Sequence, residues 1–362
     1  MRIVIFCENK SFSGGRYYTL FVACALSLLG HKVTFVTDRL PIFVNDFKDV
    51  PGYNNIEWFI DHNCNYNLRG QDLVISVPKK VGMLGYKYSL EHGIPLYAII
   101  FETPNFVSKY RKGDDSYEEY WKGYKEHLLH ATKIITVSKE SKKYIVEWIN
   151  CNPNKIEIIH PCINNIEADK AKVTEIKDEI VTIGRFLDFK RVDDLLKVSE
   201  KLGKKYKINY ITAEKDFYGT YTRIMTTAQS KKIPIQVFEK ISDKQKFELI
   251  KQSKLLVHPS AFEGFGIPPA EALYCDKSVV VYDLPVYKNF YGNNIYYVPF
   301  QDIDTLATTI QFVIESYTNN CSKLSKKKLT YQRLVEDITN LFGKLNNIEL
   351  EYTVKKISLE EF

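Results

Sequence analysis

No stretch of this 362-residue chain approaches twenty uninterrupted apolar residues, so no membrane-spanning helix is expected. Cysteine is sparse and scattered, at 7, 24, 64, 151, 162, 275 and 321, with no C-x2-C pair. That argues against a zinc site and for reduced thiols in a cytoplasmic protein. Neither sign of charge dominates: 50 basic against 44 acidic residues leave a formal +6. The lysines are spread rather than massed in a stripe, so nucleic acid is not indicated. So small a basic surplus is still compatible with peripheral contact at an anionic membrane surface. No G-x-G-x-x-G follows a strand, which disfavours a dinucleotide site. No Asp-x-Asp stands in a loop suited to Mg²⁺, so neither a metal nor any other cofactor is expected. The first residues, Met1 to Phe6, read as a strand rather than a signal peptide.

What is present describes an ordinary globular chain, with 45% hydrophobic and 26% charged residues. The length suffices for two domains, each with its own core. Arg2–Cys7 is a short apolar run, followed by Gly14-Gly15, an apolar-periodic segment to Leu29, Gly30 and a second run at Val33–Val36. Strand, glycine turn, helix, Gly cap and strand make a parallel βαβ unit. Gly15 then lies at the carboxyl edge of the sheet, either against a ligand or simply in a turn. Further strands are expected at Leu73–Val77, Pro95–Phe101, Lys133–Val137 and Ile156–Ile159, with an irregular Asn/Asp/Pro-rich region before the first of them. Aromatics at three- and four-residue spacing (Tyr117, Tyr120, Trp121, Tyr124) with Leu128 predict a helix over 114–131.

The region Ile163–Asp178 is polar and reads as a linker. Beyond it, strands and helices alternate regularly: Glu179–Ile183, Ile208–Thr212, Ile235–Phe238, Leu255–His258, Ser278–Tyr282 and Ile295–Val298 are the strands. This pitch implies a doubly wound parallel sheet. Ser242 and Gln245 are spaced as a capping box for a helix Asp243–Gln252. On that helix Lys246 and Lys251 read as a solvated face. Asp302 reads as the cap of a helix Thr305–Ile314, and a last long helix is expected near Lys328–Leu345.

The most informative stretch is Ser260–Leu273, SAFEGFGIPPAEAL. Gly264 and Gly266 let the loop backbone approach a ligand, and Pro268-Pro269 open a helix. Loop amides and a helix start converging on one place form an anion site, most naturally for phosphate. Glu263 stands at the loop mouth and Glu271 in the expected first helical turn, both able to accept from hydroxyls flanking that phosphate. A ligand with polyols around a phosphate group is a nucleotide sugar. Upstream, Gly184-Arg185 and Lys190 lie on a loop after the first strand of this half. A guanidinium fork and an ammonium there can neutralise a diphosphate. Arg191 reads as external.

Glu263 and Glu271, on F-E-G-F-G-x-P-x-A-E-A, closely resemble the E-x7-E signature of the retaining glycosyltransferases of family 4. Gly184, Arg185 and Lys190 resemble that family's G-R-x4-K. The resemblance implies an α/β, GT-B fold, two doubly wound Rossmann-like domains facing across a cleft: 1–165 on the acceptor side, 166–345 for the nucleotide sugar, and a tail at 346–362. It also implies that the terminal helix crosses back to the first domain. Glu263, helped by the amides of Gly264, Phe265 and Gly266, would hold the transferred sugar. Glu271 would accept from ribose, and Arg185 and Lys190 would stabilise the leaving diphosphate. The implied partners are a nucleotide diphosphate sugar as donor substrate and a glycan or lipid-linked acceptor, without a metal. One departure stands out: many members carry a His-Asp pair where this chain has Glu102-Thr103, so Glu102 is either an acceptor-positioning group or base, or a capping carboxylate. A GT-B epimerase, a sugar phosphorylase and a non-catalytic partner subunit are alternatives on the same architecture.

Overall fold

The computed structural model describes residues 1–9, 12–60, 68–108, 121, 123–214, 219–316 and 324–343. The chain builds two lobes, each a parallel sheet between helices. In the first lobe the strands are β1 Arg2–Phe6, β2 Lys32–Thr37, β3 Glu57–Ile60, β4 Leu73–Ser76, β5 Leu96–Ile99, β6 Lys133–Thr136 and β7 Ile156–Ile158. Their order is β3-β2-β1-β4-β5-β6-β7, every pair parallel. In the second lobe β8 Lys177–Ile183, β9 Lys207–Thr212, β10 Ile235–Glu239, β11 Ser253–His258, β12 Ser278–Tyr282 and β13 Tyr296–Val298 run in the order β10-β9-β8-β11-β12-β13, again all parallel. Both sheets reverse their strand order once, between β1 and β4 and between β8 and β11. Ligands of open α/β sheets bind at the carboxyl edge beside such a reversal.

The central strands are buried on both faces, as their near-continuous Val/Ile runs require. The first helix, Gly14–Leu28, is buried over most of its length, with the Ser13 hydroxyl capping it at the Arg16 amide. The Asp243–Gln252 helix carries the expected capping box, and Asp302 caps Ile303–Glu315 through the Thr305 amide. Among the described residues, several elements escaped the sequence reading, including the short helix Pro104–Val107. Edge strand β3 lies in the region read as irregular, the helices Lys80–His92 and Pro285–Tyr291 were not anticipated, and the polar linker contains the helix Asn165–Lys170. Lys251 is not solvated: its ammonium donates to the carbonyls of Ala168 and Ala171, closing the end of that linker helix. The helix expected over 114–131 is not continuous: Gly123, at φ +82, breaks it and opens a separate short helix Tyr124–His130, while 114–120 and 122 lie outside the described residues, as does the tail.

The helix at 331–343 packs on the first lobe. Tyr331 packs against Phe21 with tilted rings, centroids 5.5 Å apart, and donates to the Pro51 carbonyl, and Phe342 meets His31 and Tyr97. One apolar cluster accordingly runs through both lobes, from Ile3 and Phe21 to Leu256, Tyr287 and Leu334. Five cysteines are described, all as free thiols.

Candidate active site between the lobes

The carboxyl edges of the two sheets face each other across a cleft of about 470 Å³. All ten residues singled out as candidates line it: Gly15 and Glu102 from the first lobe, and Gly184, Arg185, Lys190, Glu263, Gly264, Phe265, Gly266 and Glu271 from the second. The topology explains this convergence. Gly184, Arg185 and Lys190 follow β8, and Glu263 to Gly266 follow β11, so both loops leave the sheet at its reversal. The Ala261 amide donates to the Phe189 carbonyl at 2.7 Å and fixes one loop to the other.

Glu263 Oε1 takes hydrogen bonds from Lys190 Nζ and from His258 Nε2, the latter at 2.8 Å. Burial alone would raise the Glu263 carboxyl, but the Lys190 ammonium and His258 outweigh it and hold the group well below the usual carboxylate range. Burial also lowers His258, and its bond to Glu263 only partly offsets that. The pair is therefore a carboxylate accepting from a neutral imidazole N–H. Sequence reasoning missed His258; its only signal is its place at the end of a strand feeding the motif.

Glu271 lies in the second turn of Ile267–Tyr274, not the first as expected, because the helix starts at Ile267 with both prolines inside its opening turn. The helix-end field is weaker there. Instead, Glu271 Oε1 is 2.6 Å from Lys246 Nζ, which also bonds Asp243 Oδ1 at 2.6 Å. Lys246 thus corrects the sequence reading: it lines the cleft with its side chain only 12% exposed and is not on a solvated face. Burial would depress its ammonium, but Asp243 and Glu271 raise it above the usual lysine value. Glu271 is raised by burial, against which Lys246 acts. Nothing in the sequence links 246 to 271, since the contact joins two separate elements. Asp243 Oδ2 accepts from Tyr17 of the first lobe and, at 3.1 Å, from Asn164.

The glycines have separable reasons. A Cβ on Gly15 would meet the Phe101 ring 2.4 Å away, so helix and strand end could not pack as they do. Gly266 has φ +90 and would place a Cβ 2.5 Å from Tyr287. A Cβ on Gly184 would make only ordinary contacts. Arg191 is not among the cleft residues; its guanidinium forks onto Asp194, with two bonds of 2.9 Å. Asp194 in turn accepts from Tyr282 at 2.8 Å. On the first-lobe side the cleft is lined by Phe12, Arg16, Phe43, Lys79, Trp121 and Tyr124 around Glu102. Among the described residues no three His, Cys, Asp or Glu side chains gather as metal ligands would. No helix among them is long and apolar enough to cross a membrane.

Residues 165–344 match the family model described as "Glycosyl transferases group 1". This segment is a group 1 glycosyltransferase domain. An O-antigen chain mannosyltransferase of Salmonella typhimurium is 25% identical over 165 residues, 46% of this chain and 46% of that protein. The chain thus spans about half the length of this curated relative. Sucrose-phosphate synthase from Thermosynechococcus elongatus superposes with a TM-score of 0.76 at 15% identity, covering 96% of this chain and 100% of that one. An Anabaena protein solved with UDP and glucose superposes at 0.78 and 13% identity, covering 95% and 100%. These structural likenesses show the GT-B fold for the two lobes together.

Proposed function

We propose that the chain is a retaining, metal-independent glycosyltransferase of family 4, moving a sugar from a nucleotide diphosphate sugar to a glycan or lipid-linked acceptor in surface polysaccharide synthesis. The observation that carries this reading is the gathering of Arg185, Lys190, Glu263 and Glu271 on one interlobe cleft. The group 1 match over the second lobe, a relative named for O-antigen chains and a structural neighbour solved with UDP and glucose support it.

In this reading the donor lies on the second lobe. Glu271 accepts from the ribose hydroxyls. Lys190 exchanges part of its bond with Glu263 for the diphosphate, and Arg185 takes the other phosphate oxygens. As the bond between the sugar's anomeric carbon and the diphosphate breaks, negative charge grows on the leaving oxygen, where two fixed cations stabilise it most. Their charge does the work a divalent ion would otherwise do. Glu263, partly released from Lys190 but still held by His258, accepts from hydroxyls of the transferred sugar. The acceptor hydroxyl enters past Glu102, which orients it on the first-lobe side. The new bond forms on the face the diphosphate leaves, preserving configuration, and the acceptor hydroxyl's proton passes to the departing phosphate oxygen.

The test is sugar transfer by Arg185→Ala and Glu263→Gln, after a thermal-shift panel of nucleotide sugars has identified the donor. Loss of one such charge-stabilising contact is expected to lower kcat by about 100-fold. Turnover close to wild type in both variants would remove the site assignment.

A further inference from the structure

We propose that Lys246 is a positioning residue for donor recognition, fixing Glu271 so that one carboxylate oxygen is presented to the ribose hydroxyls of a nucleoside diphosphate. This rests on the reading of Glu271 given above and extends it to a side chain outside both sequence motifs.

The geometry leaves Lys246 little freedom. Its ammonium spans Glu271 Oε1 and Asp243 Oδ1, each at 2.6 Å, and lies 4.8 Å from the centre of the Phe247 ring and 5.5 Å from that of Tyr17. Asp243 is itself held by the Tyr17 hydroxyl, by Asn164 and, through its own amide, by Asp46 at 3.1 Å. The aromatic and carboxylate contacts therefore fix the cation before any ligand arrives. Glu271, only 3% exposed, is fixed by that cation in turn. One of its oxygens bonds Lys246, and the residue lines the cleft, so the other oxygen is assigned to a vicinal diol. An ionised acceptor placed in advance makes the stronger kind of hydrogen bond and needs no ordering when ligand binds. Without Lys246, Asp243 and Glu271 would be two buried carboxylates sharing a wall with no cation between them. Their repulsion would turn Glu271 away or leave it protonated, and the diol would lose its acceptor.

The experiment is calorimetric titration of UDP and GDP, each beside its 2′,3′-dideoxy form, into the wild-type chain and into Glu271→Gln, Lys246→Met and Lys246→Arg. The wild type is expected to prefer the ribose form of the nucleotide it binds by about tenfold or more, the value of a hydrogen bond to a charged group. Glu271→Gln should lose most of that preference. Lys246→Met should lose it as well, to within about twofold by the same measure, while its affinity for the dideoxy nucleotide stays near wild type. Lys246→Arg should recover part of it. In turnover assays Lys246→Met should raise the donor KM and leave kcat little changed.

If Lys246→Met keeps the full preference while Glu271→Gln loses it, the role of Lys246 falls and Glu271 keeps its own. Equal weakening of both nucleotide forms would likewise overturn the proposal, since Lys246 would then act on the diphosphate or on the fold. If neither nucleotide binds the wild type, or Glu271→Gln retains the preference, the reading of Glu271 fails and the proposal with it. Should Lys246→Met not fold, Lys246→Met with Asp243→Asn removes the second buried charge and carries the same comparison.

Discussion

Lys190 and Glu263 neutralise each other where both are largely shielded from water. A buried pair of this kind adds little over an apolar pair, but breaking it leaves one charge stranded. Lys190→Met should therefore destabilise the chain by about 3 kcal/mol at neutral pH, read from urea unfolding. Glu263 is held below the usual carboxylate range by Lys190 and His258 against the opposing effect of burial. Its contribution is thus complete above the ordinary carboxylate pKa and is lost only as pH falls toward the depressed folded value. The stability gap between wild type and Lys190→Met should be widest where Glu263 is ionised in both proteins and should narrow toward acid, because burial without Lys190 makes Glu263 take up its proton in the variant first. A gap that persists unchanged into strong acid would mean that Glu263 is not the group involved. Lys246 shows the opposite case at the same scale. Its spacing on an amphipathic helix matches a solvated face, and only the approach of a second helix makes it a buried partner.

The same contrast orders the elements. Strands β8, β11 and β12 and the Asp243–Gln252 helix were legible because each announces itself locally, by an apolar run, a cap or a period. Strand β3 was not: its four residues, Glu57 to Ile60, have no fully buried member, so an edge position is set by pairing with β2 and not by composition. The linker helix Asn165–Lys170 is short and polar and depends on contacts outside itself, such as those from Lys251. The loop and helix of the E-x7-E stretch combine both kinds of information. The glycines and prolines were readable, while the ring that Gly266 makes room for lies on the Pro285–Tyr291 helix, itself unread. Gly266→Ala is therefore expected to do two kinds of damage. It forces φ +90 on a residue with a side chain, and it drives a Cβ into Tyr287. A loss of about 2 kcal/mol in stability is expected, together with reduced donor affinity as the loop shifts. A variant with unchanged melting and unchanged binding would show that the loop can relax without moving its amides.

At the scale of the molecule, two ties stand out among the contacts that hold the lobes around the cleft. One is the helix at 331–343, whose Arg333 donates to the carbonyls of His160 and Pro161, both at 2.7 Å, where the chain leaves the first lobe. The other is polar and lies in the cleft wall itself, where Asp46 and Tyr17 of the first lobe meet Asp243 of the second. Asp46 is the member of this second tie that should titrate near neutrality. Burial and the charge of Asp243 raise its carboxyl to about 6, against the lowering effect of the Asp243 amide and Lys246; Glu167 adds to the rise. A carboxyl raised on folding binds its proton more tightly in the native state than in the unfolded chain. Between its ordinary value of 3.8 and about 6 the folded protein therefore holds the extra proton, and stability falls as pH climbs through that window. Above it the slope from this group vanishes. Asp46→Asn keeps an oxygen for the Asp243 amide and removes the titration. Thermal midpoints of wild type and Asp46→Asn should separate progressively as pH is raised through the window, with wild type the lower, and then run parallel. Because Asp243 is the anion that opposes Asp46, Asp243→Asn should shrink the separation. Parallel curves from acid to neutral pH would mean that the two carboxylates do not feel each other across the lobes, and that the polar tie is not charged in the way its geometry requires.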